Sequence, residues 1–586
     1  MRILLTYKAH GAGAADPFTS LLPIGLGYIN ALLRARGFHS RIANLSGMGW
    51  KEVEILLRAE RPDILGVSQF THNRFASLKL AAVAKKLDPA CFVAFGGPHA
   101  THRAREILGA NPAVDAVIMG EGETTFLELA TSLATKGGSL DGIRGMALRQ
   151  GNELVFTPPR EPLADLDGLP LPALYFDNAI AVDPRQQLEF IITSRGCPAA
   201  CRFCSSPLFW GRTLRFRSPE SIVEEIRYIR DHYGLIYFSI RDDTFTARRE
   251  RVMTFCRLLM REKLYILWNC QSRVNAVDGE MLRLMKKAGC ECVQFGVESG
   301  SRRVLRDLGK SITPEQVKSA AAQVREAGIN LSVYLITGVP GETGDDLQAT
   351  LRLMEEIRPA DGQVSPLAYY PGTDLFRRGV EKGEVRPDLF EAERSDGFYL
   401  RADPFVAKAT GALLGKLESV AAGGRFRAEQ FRAQKRELGY CHATNVLAGE
   451  YYEGIGRFQQ AEAEYREIVR REPANPWGWL SLGELYAELG KIDGAIAAFT
   501  ELLRLVPAHA PACVRLGELY RLSSDHGPAE RWFREALRLD PGSLPAKRGL
   551  AALRRNNKAA GPWGSRRFQC EPGLERAYLP AILRPG

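Results

Sequence analysis

No run of apolar residues in this 586-residue chain reaches the ~18 that a membrane-spanning helix needs, so no transmembrane segment is expected. The apolar stretch in the opening MRILLTYKAHGAG is too short for a signal peptide. Charge of one sign is not strongly in excess. The 78 basic and 68 acidic residues leave a net +10, compatible with an anionic partner without requiring one. Cysteine is scarce, with 11 in the whole chain. These features point to the cytoplasm, where thiols stay reduced and clustered cysteines mark a metal or redox site sooner than a disulfide. No nucleic-acid-binding module is recognisable, which argues against a tRNA substrate.

What is present is ordinary globular composition, 45% hydrophobic and 25% charged, over a length that allows three or four domains. Residues 1–150 alternate short apolar runs (RILLTY, RIANL, DILGVSQF, CFVAFGG, AVIMGEG) with helical patterns. That alternation predicts a doubly wound, Rossmann-like parallel sheet, with ligands at the carboxyl ends of its strands. Ser68, Gly96-Gly97 and GEGET (120–124) fall at those ends, where glycine lets a backbone approach a bulky ligand closely. Residues 185–400 repeat a strand-helix unit six times, with strands LEFIIT, LIYFSI, YILWNC, CVQFGV, LSVYLIT and GQVSPLAYY. Six such units predict a partial (β/α)6 barrel with its site at the carboxyl ends of the strands.

Three of the scarce cysteines, Cys197, Cys201 and Cys204, lie within one loop, TSRGCPAACRFCSSP, as C-x3-C-x2-C. Three thiolates can hold three irons of a 4Fe-4S cluster and leave the fourth open. Structural zinc wants a fourth protein ligand. No His or Cys follows Cys204 at finger-like spacing; the next cysteine is Cys256, in an amphipathic pattern. Cys270, Cys290 and Cys292 fall on or beside strands and read as packed core residues.

In the last third, Tyr452, Tyr486 and Tyr520 recur every 34 residues, as do Ala461, Ala495 and Ala529, and Pro473, Pro507 and Pro541. This is the tetratricopeptide period, with a helix pair per repeat. It predicts all-α repeats over 446–560 with a concave surface for a protein partner, or a capping or dimerisation element. Linker helices are expected over 401–445, and an aperiodic tail over 561–586. Every cysteine-site motif precedes the repeats, so residues 446–586 are expected to be dispensable for that site.

The cysteine loop, with Phe203 before the last cysteine, resembles the signature of the radical S-adenosylmethionine superfamily. Five further motifs extend the resemblance over most of 185–375: DDTF (242–245), WNCQSRV (268–274), FGVESG (295–300), ITGVPGET (336–343) and YYPGT (369–373). They look like the cobalamin-dependent branch. The first region independently resembles a cobalamin-binding domain, through Ser68-Gln69-Phe70 and Gly96-Gly97 and, less closely, Lys8-Ala9-His10-Gly11-Ala12-Gly13. There Lys8 replaces the aspartate that would orient the imidazole, so cobalamin is expected without a protein histidine on cobalt.

The resemblance implies that Cys197, Cys201 and Cys204 ligate the cluster and that S-adenosylmethionine binds the open iron. Phe203 would lie along the adenine, Glu298 beside the cofactor's polar groups, and Arg273 against the methionyl carboxylate. Gly338 and Pro340 would floor the adenine. Ser68, Gly96 and Gly97 would flank cobalamin. The implied activity is generation of a 5′-deoxyadenosyl radical and methyl transfer to an unactivated carbon of a small or lipid-like substrate. Electrons would come from a flavodoxin or ferredoxin. The alternatives are a radical rearrangement or cyclisation without methylation, and a scaffold with a vestigial barrel.

Overall fold

The structure, a computed structural model, describes residues 1–9, 21–135, 138–151, 153–391 and 403–556. The His10–Gly13 motif and the 561–586 tail lie outside the described residues. Among the described residues no helix is long and apolar enough to cross a membrane.

The first sheet comprises β1 (Arg2–Tyr7), β2 (His39–Asn44), β3 (Ile64–Ser68), β4 (Phe92–Gly96), β5 (Ala116–Ile118), β6 (Met146–Gln150) and β7 (Glu153–Phe156), in the order β2-β1-β3-β4-β5-β6-β7. The first five strands are parallel, because a helix crosses back over the sheet between each pair. β6 and β7 are antiparallel additions at one edge. The sheet therefore runs past the expected boundary at 150. Glu153–Phe156 pairs back on β6 as a hairpin arm after Gly151 (φ +59°), which the short apolar pattern did not separate from a linker. The strand order reverses between β1 and β3, which opens the ligand crevice of such sheets there.

A strap from 158 to 188 leads to the second sheet. Its elements are β8 (Phe190–Ile191), a short antiparallel pair β9 (Ser194–Arg195) and β10 (Arg215–Phe216), then β11 (Tyr237–Ile240), β12 (Leu267–Ser272), β13 (Cys290–Glu298), β14 (Asn330–Thr337) and β15 (Asp361–Pro366). The six-stranded sheet runs β15-β14-β13-β12-β11-β8, all parallel: the open partial barrel predicted by the βα alternation. Helix Pro404–Gly424 packs on β15 and on helix Gly344–Ile357, and its Ala409, Leu413 and Leu417 join the barrel core. The expectation of linker helices from 401 is corrected for this helix, which forms part of the barrel wall because its apolar face covers the last strand.

The repeats follow as helix pairs His442–Gly454/Phe458–Arg471, Pro476–Glu488/Ile492–Leu505 and Ala510–Leu522/His526–Leu539, then the single helix Leu544–Asn556. Small residues set the crossings. A Cβ on Gly449, Gly483 or Gly517 would strike the rings of Tyr465, Phe499 and Phe533 at 2.1, 2.9 and 2.7 Å. The stack shares a core with the barrel floor. Ile236, Tyr237 and Leu267, at the amino ends of β11 and β12, pack with Phe431, Val446 and Leu447. Cys441 donates its thiol to the Lys286 carbonyl at 3.3 Å. The repeats thus close the barrel at the end opposite the cysteine loop.

Candidate active site

The cysteine loop leaves β9 and is fixed at both ends by buried polar contacts. Asp242, at the end of β11 and 1% exposed, accepts from the Thr193 amide and hydroxyl at 2.6 Å each. It also accepts from the Ser194 amide at 3.0 Å and hydroxyl at 2.7 Å, so four bonds satisfy one carboxylate. Gly196 (φ +94°) passes so close to the Thr213 carbonyl that a Cβ would sit 2.3 Å from it. Farther on, the Arg202 amide donates to the Leu308 carbonyl at 2.9 Å.

The loop places Cys197 in the interior and leaves Cys201 and Cys204 half-buried. Burial pushes the Cys204 thiol up to about 12, helped by Asp243 and by the charges of the other two thiols nearby. Burial likewise raises Cys197. Thiols so placed ionise when a metal cluster supplies the positive charge. Among the described residues no three His, Cys, Asp or Glu side chains are arranged to hold a metal ion.

The other expected residues surround this loop. The Arg273 guanidinium Nη1 lies 3.9 Å from Cys201 Sγ. Phe203 packs on Val304, Leu308, Val339 and Leu367. Glu298 ends β13 at a bulge, with φ +65°, and is 6% exposed. Gly338 (φ +76°) begins the turn after β14, and Pro340 is exposed.

Three partners were missed by sequence reasoning. Lys310 Nζ donates to Glu298 Oε1 at 2.6 Å, with both side chains buried. Gly296 makes room for the pair: a Cβ there would lie 2.6 Å from Glu298 Oε1 and 2.8 Å from Lys310 Nζ. Glu342 accepts from the Gly338 and Val339 amides at 2.7 and 3.2 Å, which holds the turn open. Asp243, next to the thiols, accepts from the Ser206 hydroxyl, and burial raises its carboxyl. Lys310 and Ser206 carry no motif signal. Asp243 and Glu342 stood inside the DDTF and ITGVPGET motifs without an assigned role.

On the first sheet Ser68 and Gly96 are register neighbours on β3 and β4. Gly97 has φ +97°, and a Cβ on it would meet the Gln69 carbonyl at 2.8 Å. Glycine is therefore required there by the chain itself, whatever the crevice holds. At Gly96 a Cβ would make only ordinary contacts. Two buried polar atoms at this edge, Gln69 Oε1 and His102 Nε2, have no hydrogen-bond partner among the described residues, as suits a crevice lined for a polar ligand. Lys8 turns its ammonium onto the carbonyls of Leu45 and Met48, at 3.0 and 2.6 Å.

GEGET, expected among the ligand-facing turns, instead fastens the two sheets together. Arg195, two residues before Cys197, pairs with Glu121 at 3.1 Å and Glu123 at 2.6 Å, and Arg215 also reaches Glu121. All four side chains are buried. Arg74 donates to the Phe390 carbonyl at 2.8 Å, and Gly372 of YYPGT abuts the His102 ring. The carboxyl edges of the two sheets thus face each other.

The superfamily described as radical SAM matches residues 191–354, the B12 binding domain 14–130, and tetratricopeptide repeats 446–510 and 480–543. Over 363 residues the chain is 32% identical to an uncharacterized methyltransferase of Pyrococcus horikoshii, covering 61% of this chain and 78% of that one. It is 28% identical over 395 residues to the anaerobic magnesium-protoporphyrin IX monomethyl ester cyclase of Rubrivivax gelatinosus, covering 66% and 71%. Among solved structures it resembles TsrM of Kitasatospora setae, a radical S-adenosylmethionine methyltransferase with cobalamin and a 4Fe-4S cluster bound. The TM-score is 0.58 at 17% identity, over 80% of this chain and 100% of that one, a likeness of fold. The chain belongs to the radical S-adenosylmethionine superfamily and carries a B12 binding domain ahead of the barrel. Its cofactors are accordingly a 4Fe-4S cluster, S-adenosylmethionine and cobalamin.

Proposed function

We propose that the protein transfers a methyl group to an unactivated carbon of a small or lipid-like substrate. The observation that supports this reading is the docking of the two sheets through Arg195, two residues before Cys197, onto Glu121 and Glu123. A methyl carrier and a hydrogen-abstracting cofactor must act on one carbon, and this arrangement brings their two sites together.

In this reading Cys197, Cys201 and Cys204 hold the cluster, and Asp242 fixes the loop that presents them. Arg273 stands beside Cys201 to receive the methionyl carboxylate, a charge-assisted contact. Glu298, held by Lys310, accepts from the cofactor's hydroxyl or ammonium protons. Phe203 stacks along the adenine, and the turn at Gly338 and Pro340 closes beneath it, kept in shape by Glu342. Ser68, Gly96 and Gly97 flank cobalamin at the facing edge. When bound, these cofactors supply one-electron cleavage of a C–S bond and a transferable methyl group; the protein positions them and keeps water out.

The reaction belongs in the cytoplasm, a placement supported by the ten described cysteines, all free. Reducing equivalents from a flavodoxin or ferredoxin complete the reading. Its test is mass spectrometry of metabolites from cells with and without the gene. A metabolite one CH2 heavier, present only with the gene, supports methylation. A product formed without that gain, as ring closure would give, refutes it.

A further inference from the structure

A large cavity lies away from the barrel mouth. It measures about 820 Å³ and opens between the concave face of the repeats and the strap segment 181–186. That volume falls within the range of ligand-sized sites. Its walls hold six acidic side chains against two arginines. Three of the acids, Glu450, Glu484 and Glu518, are spaced 34 residues apart and form a ladder with one rung per repeat. By count the wall carries four more acids than arginines. Arg515 sits between Glu484 at 2.9 Å and Glu518 at 3.3 Å, and Arg185 lies 3.6 Å from Asp540. Between the charges the wall is apolar, with Leu480, Phe499 and Val514. Trp477, 2% exposed, lines the cavity, and its buried indole N–H has no hydrogen-bond partner among the described residues.

This lining suits an extended segment with cations, aromatic rings and free backbone carbonyls. The chain itself contains one. Residues 557–586 carry five basic side chains, including the pair Arg566-Arg567, against Glu571 and Glu575. Trp563, Phe568 and Tyr578 are interspersed, and four prolines disfavour a helix. The preceding helix, Leu544–Asn556, starts in the cavity wall, which Leu544 and Pro545 line. Thirteen helical residues span about 20 Å, while thirty extended residues reach up to about 100 Å, so the segment can return to the groove. We propose that the basic, aromatic stretch around Arg566-Arg567 binds in cis in the acidic groove of the repeats. There it braces the strap that joins the cobalamin domain to the barrel. An apolar stretch with the charge opposite to the groove's is the occupant that both features of the lining select.

Tethering decides the expected strength. A short flexible tether gives an effective concentration on the order of 1 mM, so an intrinsic Kd of ~0.1 mM keeps the groove about nine-tenths filled and slows local opening about tenfold. The test is hydrogen exchange on the full-length holoprotein against Arg566→Glu/Arg567→Glu. Amides of Pro476–Glu488, Ala510–Leu522 and 181–186 should exchange about tenfold faster in the variant, with the barrel helices unchanged. Identical exchange in the groove would overturn the proposal.

A second measurement does not depend on charge reversal. Ser481 lines the cavity and Cys570 lies in the segment, so Ser481→Cys should cross-link to Cys570 within one chain through a short bis-maleimide. Gln460→Cys, exposed and outside the cavity lining, is the control. Equal cross-linking in the control, or cross-links only between two chains, contradicts docking in cis.

Discussion

Replacing Lys310 by methionine tests how the cofactor site is built. Lys310 Nζ and Glu298 Oε1 are 2.6 Å apart, with side-chain exposures of 7% and 8%, so each charge depends on the other. Lys310→Met keeps the length and apolar stem of the side chain and removes the ammonium. Leaving one member of a buried pair unpaired costs about 3–5 kcal/mol. Glu298 can escape part of that cost by swinging toward the barrel mouth, which would take its oxygens away from the position proposed for them beside S-adenosylmethionine. If half of the cost appears in cofactor binding, affinity falls on the order of 10–100-fold. The assay is calorimetric titration of S-adenosylmethionine into anaerobic protein with the cluster oxidised, so that no cleavage intervenes. The cluster absorbance should be unchanged, since no cysteine is touched. Lys310→Arg should recover most of the affinity. The reasoning is refuted if Lys310→Met binds like the wild type while Glu298→Gln binds weakly, for then Lys310 does not hold the carboxylate in place.

Cys201→Ala should abolish the 4Fe-4S absorbance and all reductive cleavage of S-adenosylmethionine; retained cleavage would remove the ligand assignment. Arg195→Met should loosen the two sheets, because it strands Glu123 at 3% exposure. Faster limited proteolysis in the 158–188 strap reads this out, and an unchanged cleavage rate counts against the docking role. Glu291, buried under the barrel floor, has its carboxyl pushed up to about 7 by burial, offset in part by bonds from Tyr237 and Asn330. The folded state thus keeps a proton that an unfolded glutamate releases near pH ~4.3. Stability from this group is greatest below that pH and declines until about 7, by up to ~3 kcal/mol. Glu291→Gln should therefore raise the melting temperature more at pH 8 than at pH 5, and an equal shift at both would contradict this. His10→Ala should leave cobalamin affinity unchanged, with no nitrogen superhyperfine splitting to lose from the electron paramagnetic resonance spectrum.

Strand and helix periods were legible because each βα unit carries its own turn signals, and the 34-residue spacing fixed the repeats. The cysteine spacing marked the candidate site for the same reason: candidate ligands on one loop are close in sequence. Contacts between distant segments were not legible. Lys310 reaches Glu298 around a turn, and Arg195 meets Glu121 and Glu123 across two domains. No local pattern distinguishes these from surface charges. GEGET looked like a ligand turn because glycine and carboxylates at a strand end serve either purpose. Helix Pro404–Gly424 read as linker because its apolar face is covered by a strand some 40 residues earlier. The repeats looked separable from the barrel because their periodicity is complete in itself. Yet Tyr237 and Leu267 belong to the repeat core, so cutting at 446 would uncover part of the barrel floor.

The most direct measurement follows the methyl group. Reduced holoprotein carrying cluster and cobalamin is incubated with S-adenosylmethionine labelled as CD3 and a small-molecule extract of its own cells. The account predicts 5′-deoxyadenosine together with one extract component that exchanges a hydrogen for CD3, both absent with Cys201→Ala. Formation of 5′-deoxyadenosine and methionine with no CD3-bearing product would contradict methyl transfer.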